Sequence, residues 1–156
     1  MAEFELTITE ATSGDLPELL ALYQHLNPND DPIDPAEAQR IFDRFQTSNG
    51  NVILCGWCAG ALVSSCTLIV VPNLTRGGRP YGLIENVVTH SDHRGRGHGQ
   101  AMLDAASARS WEQGCYKVML MTGSRRPSTL AFYERAGFEQ SKTGYQKRRL
   151  PKRGDA

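Results

Sequence analysis

The sequence has almost no excess of charge of either sign. Its 17 lysines and arginines face 17 aspartates and glutamates over 156 residues. Such a chain has no overall field to draw it to nucleic acid or an anionic membrane surface. Long apolar runs are missing as well, since none approaches the ~18 residues of a membrane span. The opening stretch MAEFELTITEATSGDL holds acidic side chains and no apolar core, so it does not read as a secretory signal. The expected location is the cytoplasm. Cysteine is sparse, with four in all, and Cys55 and Cys58 stand as C-G-W-C. A redox pair of that spacing needs a helix N-terminus to lower a thiol pKa. A zinc site needs further ligands close by, and none is visible. Glycines 56 and 60 and the flanking apolar runs point instead to a strand hairpin, with buried or turn cysteines. His90, His93 and His98 cluster in sequence, but no carboxylate spacing supports a metal, and none is expected. Internal repeats, low-complexity tracts and linkers are absent.

What is present suits one domain over residues 1–150, followed by a short basic tail at 151–156. "FELTITEAT" alternates like a strand. "DLPELLALYQHL" reads as a helix with Pro17 in its first turn. "NPNDDPIDP" is a loop, and "AEAQRIFDRFQTS" is a second helix with Ala38, Ile41, Phe42 and Phe45 at helical spacing. Strands follow in "VILCGWC", "GALVSSCTLIVVP" and "YGLIENVVTH". The helix "GQAMLDAASARSWEQG" places Met102, Leu103, Ala106 and Trp111 on one face, with Gly114 just past its end. Next come a buried strand in "YKVMLMT", a helix from Pro127 to Gly137, and two short strands around Thr143-Gly144. The order β-α-α-β-β-β-α-β-α-β-β predicts an α/β (α+β) domain. Its mixed sheet is covered by helices on both faces.

Between a strand and a helix lies "HRGRGHGQ", His93 to Gln100. Amides at a helix N-terminus are unpaired and partly positive, so a glycine-rich turn leading into a helix suits a pyrophosphate. It is not a dinucleotide fingerprint, because G-x-G-x-x-G from Gly95 would require glycine where Gln100 stands. It is not a Walker loop, since no Gly-Lys-Ser/Thr follows. An isolated R-G-R-G in a neutral protein does not mark a nucleic-acid binder.

Arg94-x-x-Gly97-x-Gly99 resembles the Arg/Gln-x-x-Gly-x-Gly/Ala signature of the GNAT family of N-acetyltransferases. "LAFYERAGF", Leu130 to Phe138, resembles that family's second landmark. Within the family, "LIENVVT", the glycine loop and "GCYKVML" are similar to the subgroup that acetylates glucosamine 6-phosphate. Met121 and Arg126 depart from that pattern, where the family carries Asp and Asn. The resemblance therefore implies the fold and the donor and leaves the acceptor open. It implies a mostly antiparallel sheet of about seven strands, acetyl-CoA as co-substrate, a small-molecule amine as acceptor, and a homodimer.

The resemblance also assigns roles. Glu85, on the strand before the loop, is the candidate general base or an acceptor-binding group. Asn86 faces the opposite side unless a bulge intervenes, and the family carries such a bulge in this strand, which splays it from the next. Val87, Val88 and Thr89 would then offer backbone groups to the pantetheine arm and the thioester. Arg94, Gly95, Arg96, Gly97, His98, Gly99 and Gln100 are the candidate pyrophosphate site. Ser128 is a helix cap or a coenzyme contact. Tyr133 is the candidate general acid, because a phenol near pKa ~10 can share a proton with a thiolate near ~8.5. Asp30, Asp31 and Asp34 suit a cationic acceptor or simply form turns, whereas Arg76 and Arg79 suit an anionic one. A non-catalytic acyl-CoA-binding module and a protein or peptide acetyltransferase are the alternatives.

Overall fold

The computed structural model describes residues 5–152. Five strands form one sheet in chain order: β1 (Thr7–Glu10), β2 (Val52–Cys58), β3 (Ala61–Val71), β4 (Tyr81–Thr89) and β5 (Val118–Leu120). The first four pair antiparallel, and β5 runs parallel to β4. The helices are α1 (Leu16–Tyr23), α2 (Pro35–Gln46), α3 (His98–Glu112) and α4 (Pro127–Arg135). No described helix is long and apolar enough to cross a membrane.

Two apolar clusters lie on opposite faces of the sheet. Leu54, Cys66, Leu68 and Ile84 meet Met102, Leu103 and Ala106 of α3, and Phe132 and Tyr133 of α4 pack against this group. Cys55, Leu62 and Val88 meet Leu16, Leu19 and Leu22 of α1 and Phe42 of α2. Strand alternation supplies both sets, since successive side chains point to opposite faces. Asp34 caps α2 by accepting from the Ala36 and Glu37 amides, with Pro35 as its first residue. Asp34 is thus a turn former, the second of the two roles its sequence position offered.

Several sequence expectations shift. Trp111 is more than half exposed, and Ser110 takes the buried position on α3. The reason is a close approach. A Cβ on Gly82 would stand 2.8 Å from Ser110 Oγ, so α3 crosses β4 where only small residues fit. Ile41 of α2 is likewise exposed. Cys55 and Cys58 lie within β2, and the hairpin turn comes after them at Ala59 and Gly60, both with positive φ. All four cysteines are buried, with no disulfide. Burial pushes the Cys55 and Cys66 thiols up to about 12, so neither is a thiolate at neutral pH. The two expected carboxy-terminal strands are absent. Residues 139–152 hold no regular secondary structure, so the described sheet has five strands rather than about seven.

Candidate active site

The site is built where β4 stops pairing with β5. Those strands pair through Gly82–Val118, Leu83–Met119 and Ile84–Leu120, and β5 ends there. Glu85 is the next residue of β4. On the other side, β4 pairs with β3 as Thr67–Glu85 and then Ser65–Val88. Two residues of β4, Asn86 and Val87, therefore stand against Cys66 alone. This is a β-bulge, and Asn86 adopts φ 51 to make it. The bulge reverses the facing of the strand. Ile84 and Val87 pack on the α3 side, whereas Val88 packs on the α1–α2 side. A regular strand would send Ile84 and Val88 the same way. The bulge that the family resemblance implies for this strand is present, and it falls at Asn86. It leaves β4 from Glu85 to Thr89 with no described strand on its β5 edge.

Glu85 is half-buried on the α1–α2 side, directly across from Thr67. Among the described residues its carboxylate has no ion pair. Past the bulge, Ser64 Oγ bonds the Val88 carbonyl at 3.0 Å and Thr89 Oγ1 at 2.9 Å. These bonds fix the strand as it enters the loop.

The loop itself is shaped by backbone geometry. Gly95 and Gly97 have φ of 76 and 82, a region L side chains avoid, and Gly97 is the N-cap of α3. No side chain caps this helix and no acid sits in its first turn, so its leading amides are left without a protein acceptor. Gly99 also serves packing. A Cβ there would meet the Phe132 ring at 3.1 Å, so glycine lets α4 close against α3. Gln100 extends the contact, its Nε2 donating to the Arg135 carbonyl at 3.4 Å.

The loop arginines differ in role. Arg94 is committed to backbone, donating to the carbonyls of Thr89 at 3.2 Å and His25 at 3.3 Å. It ties the donor loop to the end of α1. Arg96 lies 3.3 Å from His93 Nδ1. All four histidines gather here, although sequence had grouped only three of them. Ring centroids run 4.0 Å from His25 to His90, 5.5 Å to His93 and 6.4 Å on to His98. His98 is buried, and its Nε2 has no hydrogen-bond partner among the described residues. Burial, and then His93 and Arg96, hold its pKa below the usual value. Orphan amides, positive-φ glycines and this basic neighbourhood fit a pyrophosphate. No group of three or more His, Cys, Asp or Glu suited to a metal occurs among the described residues.

Ser128 is exposed and makes no capping bond; Arg126 is the N-cap residue of α4. Sequence missed Ser124, whose Oγ accepts from the Arg126 amide and donates to Thr129 Oγ1, ordering the turn into α4. Tyr133 is half-buried on α4, its ring 5.0 Å from Phe132, and burial raises its pKa. Its hydroxyl has no hydrogen-bond partner among the described residues.

The two acceptor pointers separate in space. Asp30 and Asp31 line a cleft of about 470 Å³ with Tyr23, Gln24 and Ile33, at the α1 end that Arg94 ties to the donor loop. Arg76 lies in the β3–β4 connection, at the opposite end of β4. Its guanidinium sits 5.8 Å from the Tyr116 ring centroid.

This strand–loop–helix geometry matches a known family. The acetyltransferase (GNAT) family model matches residues 16–138. The chain belongs to the GNAT acetyltransferase family. It is 34% identical to the glucosamine 6-phosphate N-acetyltransferase of Trypanosoma brucei brucei, over 88% of this chain and 90% of that protein. It is 26% identical to the L-methionine sulfoximine/L-methionine sulfone acetyltransferase of Pseudomonas aeruginosa, over 86% of this chain and 81% of that protein. A solved structure from Agrobacterium tumefaciens, provisionally named an acetyltransferase, superposes with a TM-score of 0.87 at 45% identity. That match covers 92% of this chain and 99% of the other. The chain is accordingly an acetyl-CoA-dependent N-acetyltransferase on an α/β GNAT fold.

Proposed function

We propose that this acetyltransferase moves the acetyl group of acetyl-CoA directly to the primary amine of a small molecule, such as an amino sugar, an amino acid or a polyamine. The observation that carries this is the wedge that opens at Glu85. The strand pair ends at Ile84–Leu120, and the bulge turns β4 away just before the uncapped amides of α3. A pantetheine arm fits such a wedge, with Val87, Val88 and Thr89 as its backbone partners. The pyrophosphate fits the loop from Gly95 to Gln100. Arg94 holds that loop in shape, and Arg96 and His98 face the phosphates. Ser128 stands at the α4 end of the same groove.

Chemistry follows from the two faces. An alkylammonium near pKa ~10.4 cannot attack until it loses a proton, and Glu85 accepts it, directly or through water. The amine nitrogen then bonds to the thioester carbon, and the carbon–sulfur bond breaks. The departing thiolate takes a proton from the Tyr133 hydroxyl, giving an amide and free CoA. The nitrogen, cationic once bonded to carbon, gives up its second proton to solvent; Tyr133 regains its proton from solvent, and Glu85 releases the one it took. Burial keeps the thiols at positions 55 and 66 protonated, so neither is suited to carry the acetyl group as a thiolate nucleophile.

The acceptor class rests on the named relatives, one acting on an amino-sugar phosphate and the other on amino-acid derivatives. A panel of glucosamine 6-phosphate, amino acids, polyamines and a lysine-containing peptide tests it, with CoA release as readout. Release with a small amine is expected. Release with the peptide alone moves the acceptor to protein. Calorimetric acetyl-CoA binding with no release from any amine makes the chain a non-catalytic acyl-CoA module.

A further inference from the structure

One buried polar atom on the Glu85 side is unaccounted for. Thr67 is 6% exposed, and its Oγ1 has no hydrogen-bond partner among the described residues. A buried hydroxyl without a well-formed hydrogen bond costs up to ~1–3 kcal/mol, so this one has capacity for a further partner. Its position says where that partner sits. Thr67 lies between Cys66 and Leu68, both on the α3 side, so its own side chain projects to the α1–α2 side. There it stands directly opposite Glu85, the first residue past the β4–β5 pairing. Directly paired residues share a face, with Cβ atoms ~5 Å apart.

A second hydroxyl reaches the same place from α1. Tyr23 lines the cleft between α1 and residues 30–33. Its phenol approaches the Thr67 and Ser65 hydroxyls, which favour ionisation, but burial outweighs them and pushes its pKa up to about 12. Tyr23 therefore stays an O–H donor across the working pH range. Ser65 is already used, donating to the Leu54 carbonyl at 2.8 Å. Thr67 retains its unused capacity, between a permanent donor and a carboxylate.

We propose that Thr67 Oγ1 binds the acceptor's reactive nitrogen beside Glu85, and that Tyr23 is the positioning residue that orients the Thr67 hydroxyl. This rests on the acetyl transfer proposed above and names the acceptor side of that site. The ammonium hydrogens of an arriving amine satisfy both Thr67 Oγ1 and the Glu85 carboxylate. After Glu85 takes one proton, the bond to Thr67 keeps the nitrogen lone pair directed at the wedge.

The test uses the full chain and the best amine of the panel, with glucosamine 6-phosphate as the first probe. Thr67→Val keeps the shape and removes the hydroxyl. It is expected to lower kcat/KM for the amine by about five- to tenfold, the equivalent of one lost hydrogen bond. The KM for acetyl-CoA should not move. Thr67→Ser should restore most of the loss, and Tyr23→Phe should give a smaller loss of the same kind. Calorimetric acetyl-CoA binding by each variant separates an intact fold from a collapsed one. A Thr67→Val enzyme with wild-type amine kinetics overturns the proposal. So does a Thr67→Ser enzyme as impaired as Thr67→Val, which makes the position one of packing. If the wild type binds acetyl-CoA and acetylates no amine, both this and the acetyl transfer to a small amine fall. An active wild type with indifferent variants sinks only the role of Thr67 and Tyr23.

Discussion

Tyr133 serves as an acid only if it still holds its proton when the thiolate leaves. Burial secures this by raising its pKa, so the phenol is fully protonated through neutral pH and ionises only further into the alkaline range. Activity that depends on it should be constant across neutrality on this account and fall at alkaline pH. Tyr133→Phe should lower kcat by ~100-fold or more, the typical worth of a positioned acid. It should also abolish that alkaline limb while leaving acetyl-CoA affinity unchanged. An unaltered kcat removes Tyr133 from the chemistry. The ring still packs beside Phe132 in the variant, so a loss of stability is not expected. Single residues were unevenly legible. Glu85 and Tyr133 stood out because their flanking motifs are recognisable in sequence. Thr67 did not, because nothing in "SSCTLIV" marks one hydroxyl above its neighbours. Its interest comes from strand register, and sequence does not state which residue of one strand faces which of the next. Arg94 shows the converse. Its type suggested phosphate, but both bonds recorded for it end on backbone carbonyls.

Among the elements, β4 carries the design. The bulge at Asn86 shifts the facing of the strand, putting Val87 on the Ile84 side and Val88 on the opposite one. Asparagine tolerates the left-handed conformation better than most residues, and β-branched side chains resist it strongly. Asn86→Gly should therefore stay within about 1 kcal/mol of the wild type. Asn86→Val should destabilise by ~1–3 kcal/mol, or straighten the strand and close the wedge. Thermal unfolding reads the first outcome, and weakened acetyl-CoA binding reads the second. If Asn86→Val matches Asn86→Gly in both, the bulge is not what holds the wedge open. Helix starts and stops were mostly readable from Pro17, Pro35, Pro127, Gly114 and Gly137, since these residues act locally. The buried face of α3 was less so. Trp111 fits the apolar spacing, yet the closest approach of helix to sheet selects Ser110 over Gly82, a tertiary constraint with no local trace.

At the scale of the whole molecule, the β5 edge of the sheet has no further strand among the described residues. Strand β5 spans only Val118–Leu120, and Met121 beyond it is largely exposed. Residues 139–152 are all exposed and hold no regular structure, with Tyr145 at 93% and Leu150 at 74% exposure. An open edge with unpaired amides and carbonyls is a template for another strand. The sequence reading placed two short strands here, around Thr143-Gly144. A strand exists only when paired, and periodicity does not reveal whether the partner lies in the same chain. A second copy of this chain would supply both an edge and an extended segment, related by a twofold axis. The homodimer proposed on family resemblance should therefore depend on this segment. Sedimentation should give twice the chain mass. Removal of residues 139–156, or Tyr145→Arg with Leu150→Arg in case the truncated chain fails to fold, should give a monomer. If the full chain sediments as a monomer at micromolar concentration, or the double variant stays dimeric, pairing through this segment is wrong and the exposed apolar residues need another account.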